Sequence, residues 1–336
     1  MSGLLPDVPS LLATHGIDAP ERAMTHGGFS GARLTRIEQG AERFVLKRIS
    51  HADDWIMRET GDVALREAQF AASPLIARLP REMGAPSIGA AHDGSGAAIL
   101  MRDVSPWLLP DDRPAAAMEL DALLAAMAAM HAAFWDEPLD DAEVSWCSVR
   151  DRLMILSPLV GRKLVDEGRD FGVAAGWRAF NEHAPTEALR LARRLFDDPA
   201  LLSQVAATLP PTLLHGDIKL ANIATDPAGG RLWLFDWALV MRGPLALDLA
   251  WFPAVNTPQI PWSPVETIER YGEHLLVALG AHRFGEADWP RQRAVAAIGT
   301  LMLMGWAKAL DHEAGRPHEL AGLCDRALSA AMSLGL

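Results

Sequence analysis

Leu214-His215-Gly216-Asp217-Ile218-Lys219-Leu220-Ala221-Asn222, followed by Leu234-Phe235-Asp236-Trp237, is the stretch on which the reading of this chain turns. Two carboxylates and a carboxamide stand at fixed offsets. Asn222 lies five residues after Asp217, and Asp236 fourteen after Asn222, closing the apolar run Leu232-Trp233-Leu234-Phe235. The surroundings read as short strands and tight loops. Asp217, just past the apolar Leu213-Leu214, can accept or orient a hydroxyl proton. Asn222 offers a neutral carbonyl oxygen and Asp236 a charged one, a hard-oxygen pair suited to Mg²⁺. One proton acceptor and two metal ligands are the parts that phosphoryl transfer from a nucleotide needs. Gly-Asp alone is a common turn, so the reading rests on the combined set at these offsets.

Working back toward the N-terminus, Lys47 sits in Phe44-Val45-Leu46-Lys47-Arg48-Ile49, a strand apolar on both faces. Burying an unpaired ammonium is costly, so Lys47 either holds nucleotide phosphates with a helix carboxylate as partner, or snorkels from an edge strand. Glu67, twenty residues on in a helix expected over 53–72, is the preferred partner, with Glu59 in reserve. Ile56, Val63, Leu65 and Phe70 are that helix's apolar members. In Gly27-Gly28-Phe29-Ser30-Gly31, between two expected strands, Gly28, Ser30 and Gly31 would let backbone N–H groups approach phosphate oxygens. A plain hairpin turn is the competing reading. Lys219 can neutralise a transferred phosphoryl group or face solvent. His215 is expected as a hydrogen-bonding support, and Asp248 as an acceptor for backbone N–H groups of the 215–217 loop.

At 336 residues, half of them hydrophobic and 22% charged, the chain suggests a folded protein of two lobes. The expected division is a strand-rich lobe over 1–103 and a helical lobe over 104–336, with Pro106, Pro110 and Pro114 breaking the pattern between them. Strands are expected over Arg33–Glu38, Arg43–Ile49, Ser87–Ala91 and Ala97–Val104, and helices near 171–196, 264–280, 287–313 and 317–334. Leu120, Leu123, Leu124, Met127, Met130 and Phe134 recur at helical spacing. The formal charge of −12 speaks against a nucleic-acid partner. Residues 1–103 carry 11 Lys/Arg against 13 Asp/Glu, leaving 20 against 30 for the rest. An acidic second lobe would attract a cationic substrate or simply aid solubility. No apolar run long enough for a membrane span and no N-terminal signal pattern is found, and two distant cysteines argue for a reducing, cytoplasmic setting.

These residues resemble the aminoglycoside phosphotransferase and choline kinase-like family, which shares the protein kinase-like fold. The likeness rests on His215-Gly216-Asp217-x4-Asn222, on Asp236-Trp237 and on Gly243-Pro244-x3-Asp248-Leu249-Ala250-Trp251. Met130-His131-Ala132-Ala133-Phe134-Trp135 supports it. The resemblance implies an α+β bilobal fold with an antiparallel-sheet N-lobe and a mainly helical C-lobe. It further implies that Asp217 is catalytic, that Asn222 and Asp236 hold Mg²⁺, and that Lys47 with Glu67 anchors the phosphates of ATP. The adenine would lie against Leu100-Met101-Arg102-Asp103-Val104, with Met101 and Asp103 as contacts.

The expected activity is transfer of the ATP γ-phosphoryl group to a hydroxyl of a small molecule of antibiotic, amino-alcohol or sugar type. A cationic acceptor is one possibility, since Trp251, Trp262 and Trp306 could form an aromatic box beside Asp311 and Glu313. Two other classes compete. One is a kinase-fold scaffold that binds nucleotide without catalysis. The other is a metallohydrolase using His215, Asp217 and Asp236, although the eleven His are scattered and no H-x-H or H-E-x-x-H occurs.

Overall fold

A computed structural model describes residues 3–24, 30–109, 113–139, 144–226 and 230–336. The chain starts with α1 (Val8–Thr14), β1 (Glu21–Ala23), β2 (Arg33–Gln39) and β3 (Glu42–Ile49). Short helices α2 (Trp55–Glu59), α3 (Arg66–Ala72) and α4 (Leu75–Arg78) precede β4 (Met83–Gly84), β5 (Ser87–Asp93) and β6 (Gly96–Arg102). Then come α5 (Ala117–Ala133), α6 (Val149–Met154), α7 (Pro158–Asp166), α8 (Val173–His183), α9 (Thr186–Asp197) and α10 (Ala200–Ala206). The strand island follows: β7 (Thr212–Leu214), β8 (Ile223–Thr225), β9 (Leu232–Leu234) and β10 (Met241–Gly243). Helices α11 (Ala246–Val255), α12 (Pro264–Glu286), α13 (Trp289–Glu313) and α14 (Pro317–Leu334) complete the chain. The architecture is α+β.

Two compact units divide it, each assembled from separated segments. One comprises Met1–Ala115, Glu137–Cys147 and Leu220–Val240; the other comprises Ala116–Asp136, Ser148–Lys219 and Met241–Leu336.

The first unit is built on an antiparallel sheet in the order β1-β2-β3-β6-β5. Side chains alternate across a strand, so central β3 feeds two cores. Phe44 and Leu46 join Ile37, Leu100, Val8 and Leu11 on the face covered by α1. Ile49 joins Ile99, Ala68 and Met57 on the face covered by α2 and α3. That double covering is why β3 reads as apolar on both faces. β5 and β6 close on the two-residue turn Gly94-Ser95, in which Gly94 has φ 61°. A smaller sheet, β4-β9-β8, brings the later segment of the chain into the same unit.

The helix expected over 53–72 is two. α2 stops at Glu59, Gly61 (φ 59°) and Leu65 (φ 63°) take left-handed backbone, and the Asp62 carboxylate accepts the Arg66 N–H at 3.0 Å to start α3. Val63, expected on the apolar face, falls in this break and is 76% exposed. The break turns α3 so that Arg66 and Glu67 are both buried. The helix expected over 171–196 is also interrupted, at Ala184-Pro185, because proline disfavours helical backbone in the residue before it. α12 runs on to Glu286 past non-helical Gly280, where the expected helix ended.

In the second unit α13 is the central helix, packed by α8, α11 and α14. By length and composition it is apolar enough to cross a membrane, but two-thirds of its apolar stretch is buried within the unit. β7 and β10 pair antiparallel, setting Leu213 opposite Arg242 ahead of the 215–217 loop.

Candidate active site

Lys47 lies in register with Leu34 on one side and Ile99 on the other, on the face of β3 that α3 covers. Its ammonium is 2.8 Å from the Glu67 carboxylate and 2.6 Å from Asp236 Oδ1. Burial alone would push this ammonium down. The charges of Asp236 and Glu67 outweigh that and hold it well above the usual lysine range, so Lys47 is a fixed cation. The partner is Glu67; Glu59 lies on the separate helix α2. Both side chains of the Lys47–Glu67 pair are nearly excluded from water, whereas Asp236 keeps 35% of its side chain exposed.

Asp236 follows β9 in left-handed backbone, φ 67°, a conformation uncommon for a residue other than glycine and frequent at functional sites. What holds it there is local. Trp237 is buried, its ring 4.5 Å from that of Phe70 on α3, and its indole N–H donates to the Leu234 carbonyl at 2.9 Å. Arg66, adjacent to Glu67 in sequence, donates to the carbonyls of Ala238 (3.1 Å) and Ser145 (2.7 Å). α3 therefore positions Lys47 through Glu67 and the backbone after Asp236 through Arg66. Nothing in the sequence singled out Arg66; only its burial identifies it.

Asn222 ends a 3₁₀ turn, Leu220–Asn222, and is 4% exposed. Its backbone carbonyl accepts the Phe235 N–H at 3.1 Å, which ties it to the chain segment that carries Asp236. Asn222 immediately precedes β8 and Asp236 follows β9, so a neutral amide and a partly exposed carboxylate flank two paired strands; oxygen donors of these kinds suit Mg²⁺.

Ser30 and Gly31 are tied to the loop that caps α2. The Ser30 carbonyl accepts the Trp55 N–H at 3.0 Å, and a Cβ at Gly31 (φ 113°) would overlap the Asp53 carbonyl oxygen. Gly28 lies outside the described residues. Met101 pairs in register with Val45 in the middle of the sheet. The Asp103 carboxylate is engaged with Arg36 at 3.0 Å and with the Ser105 N–H at 3.0 Å, so it serves the segment that leaves β6.

The second unit holds the other set of residues. Asp217 follows Gly216, whose φ of 79° turns the chain out of β7. The Asp248 carboxylate accepts the backbone N–H groups of His215 (3.1 Å) and Gly216 (2.9 Å), as expected for a loop support. His215 accepts the Asp217 N–H on Nδ1 at 3.1 Å and is fully buried. Lys219 Nζ lies 2.8 Å from Asp217 Oδ2, so this lysine pairs with the loop carboxylate rather than facing only solvent. Arg152 of α6 donates to the Gly216 carbonyl.

Behind Asp248 runs a buried relay that spacing did not reveal. His131 Nε2 is 3.2 Å from Asp248, and His131 Nδ1 is 2.6 Å from the Tyr271 hydroxyl. Burial raises Asp248, but hydrogen bonding and charge from His131, His215 and Gly216 overcome it and hold the carboxyl below its ordinary value. Burial, reinforced by Asp248, keeps the Tyr271 phenol protonated. An ionised Asp248 accepts only, so His131 Nε2 carries a proton toward it, while Nδ1 is hydrogen-bonded to the Tyr271 hydroxyl.

The aromatic box is not assembled. Arg152 covers Trp251 at 4.8 Å and Arg270 covers Trp262 at 4.2 Å. The Trp306 indole N–H donates to Leu303 at 3.0 Å, Asp311 pairs with Lys308 and Arg316, and Glu313 lies 3.6 Å from His183. Arginines of the chain itself cover two of the three rings. Among the described residues, the group clustered closely enough to hold a metal through His and carboxylates is exposed Glu182-His183-Glu313. It contains none of the three residues considered for a metallohydrolase.

Solved structures with similar folds include a choline/ethanolamine kinase family protein from Mesorhizobium loti, 15% identical, with 96% of this chain and 91% of that one covered and a TM-score of 0.47. Macrolide 2'-phosphotransferase type I is 17% identical over 94% of each chain, with a TM-score of 0.48. A thermostable mutant of an aminoglycoside phosphotransferase, in ternary complex with ADP and hygromycin B, is 17% identical over 96% and 97%, with a TM-score of 0.45. No curated protein matches the sequence. The model of the phosphotransferase enzyme family matches residues 26–294, a span that runs from the glycine loop into α13 and contains Lys47, Glu67, Asp217, Asn222, Asp236 and Asp248. The chain belongs to the phosphotransferase enzyme family.

Proposed function

We propose that this protein is an ATP-dependent small-molecule kinase that transfers the γ-phosphoryl group to an alcohol hydroxyl. The observation that supports this reading best is the buried Lys47 ammonium held between Glu67 at 2.8 Å and Asp236 at 2.6 Å. A permanently charged, pre-positioned cation beside a partly exposed carboxylate suits nucleotide phosphates and their metal. Asn222 and Asp236 would hold Mg²⁺, which when bound supplies neutralising charge at phosphate oxygens. Lys47 stabilises phosphate charge, and Glu67 keeps its ammonium aimed. Asp217 orients the acceptor hydroxyl and takes its proton, and Lys219 leaves Asp217 Oδ2 to meet the transferred group. The acceptor class is a small hydroxyl compound such as an antibiotic, amino alcohol or sugar. Engagement of Trp251, Trp262 and Asp311 within the chain removes the ground for preferring a cation.

Thermal shift with ATP, ADP and GTP, with and without Mg²⁺, tests the nucleotide half. A ligand at one hundred times its dissociation constant adds about 2.7 kcal/mol to native stability. The expected result is a Mg²⁺-dependent rise in midpoint that Asp236→Ala abolishes. ADP release in the presence of amino alcohols, sugars and aminoglycosides then identifies the acceptor. Well-folded protein that no nucleotide stabilises would sink the kinase reading. Nucleotide stabilisation without turnover on any acceptor would favour the scaffold.

A further inference from the structure

The helical unit contains a cavity of about 560 Å³ that shares no lining residue with the catalytic loop or with Arg152 and Trp251 beside it. That volume is in the range of small-molecule sites. Its floor is aliphatic, formed by Leu249 and Pro253 of α11, Ile268 of α12, Ala297 of α13, and Leu323 and Ala330 of α14. Among the described residues no aromatic ring lines it, so it favours an alkyl body over a stacked ring system.

Three cations stand in its wall, and two are already engaged. Arg293 pairs with Glu269 at 2.8 Å. Lys308, 5% exposed, is held by Thr257 (3.1 Å), Asp311 (3.2 Å) and Glu319 (3.3 Å). Arg326 differs. Its side chain is half-buried, and among the described residues it makes no hydrogen bond and no ion pair within 4 Å. Burial pulls the guanidinium below the usual arginine range against the attraction of Glu319 and Asp325, which are near enough to act on it without pairing with it. A half-buried guanidinium with no partner among the described residues is stabilised by an anion that can meet its donors, and its planar fork fits a carboxylate. Glu319 and Asp325 stand near Arg326, so a dianion is repelled more strongly than a monoanion. Arg326, Ser329 and Ser333 stand at i, i+3 and i+7 on α14, and all three line the cavity beside Leu323 and Ala330 of the same helix.

We propose that this cavity is a binding site, separate from the transfer chemistry, for an aliphatic monocarboxylate. The alkyl chain lies on the α11–α14 floor and the carboxylate pairs with Arg326.

Isothermal titration calorimetry on the full chain tests it, with decanoate kept below micelle formation and decanol, decyl phosphate and decyltrimethylammonium as comparisons. Decanoate is expected to bind saturably at one site, more tightly than the other three. Arg326→Gln should weaken decanoate at least about tenfold, the loss of one charge-assisted pair, and leave decanol unchanged. Ala297→Trp, which fills the floor, should abolish binding of both. Asp217→Ala should bind decanoate as the parent protein does, which separates this site from the kinase reading. Absence of saturable decanoate binding overturns the proposal, as does decanoate affinity unchanged in Arg326→Gln. Tighter binding of decyl phosphate or of the ammonium overturns the assigned head group. If Ala297→Trp fails to fold, Arg326→Gln alone decides.

Discussion

At the scale of single residues, the active-site reading depends on a few charges held with short reach. Asp217→Ala removes the proton acceptor and leaves the Lys47 cluster untouched, so turnover should fall about 10²- to 10⁴-fold with the Mg²⁺-nucleotide thermal shift retained. Steady-state kinetics beside that shift measure both. Tyr271→Phe probes the relay behind the loop. It takes the hydroxyl from His131 Nδ1, leaves a buried ring nitrogen without its hydrogen bond, and should cost roughly 1–3 kcal/mol in denaturant unfolding. Nitrogen NMR of the histidines gives a second readout. The His131 Nδ1 resonance should move in the variant while the Nε2 resonance, fixed by Asp248, stays, and an unchanged Nδ1 signal would remove the assigned role of Tyr271. Among these residues, Asp217, Asn222 and Asp236 were legible because their spacing is local in sequence. The Lys47–Asp236 contact was not, because it joins positions 189 apart and no periodicity encodes such a pairing.

At the scale of elements, caps and breaks matter more than long amphipathic runs. The Asp54 carboxylate accepts the N–H groups of Ile56 (2.8 Å) and Met57 (3.2 Å), starting α2 immediately after Asp53, against which Gly31 is packed. Asp54→Ala should therefore cost about 0.5–2 kcal/mol, read as a lower thermal midpoint. Gly31→Ala should lower it as well, because its left-handed backbone and the Asp53 carbonyl leave no place for a methyl group. Strand β2 was readable from alternation, β3 as a short apolar run after the Gly40 turn, and β5 and β6 from the Asp93–Gly96 turn that joins them. The break between α2 and α3 was not. Its apolar spacing is compatible with one helix, and only the Asp62 capture of Arg66 and the burial of Glu67 show why the chain must turn there.

At the scale of the whole molecule, buried charge makes stability depend on pH. Asp248 sits below its ordinary carboxyl value, so the stability it contributes is complete above the unfolded value near 3.9 and is withdrawn as pH falls through the lower folded value. Acid unfolding of the parent protein should steepen below about pH 4. Asp248→Asn should be less stable at neutral pH and show a shallower acid dependence; parallel curves would contradict the assigned charge. The sequence by itself determined the α+β class, the strand-rich first hundred residues, the helical remainder and the residues of the phosphotransferase motif. These rest on period, turn chemistry and short spacing, all local properties of the chain. Tertiary structure decided which segments share a unit, with 220–240 joining the sheet-bearing unit while 148–219 joins the helical one. It also decided which carboxylate Lys47 meets, that Tyr271 and His131 support the loop, and that Trp251 and Trp262 are covered by arginines. Those outcomes depend on which distant groups burial brings together and on their need for partners once water is gone.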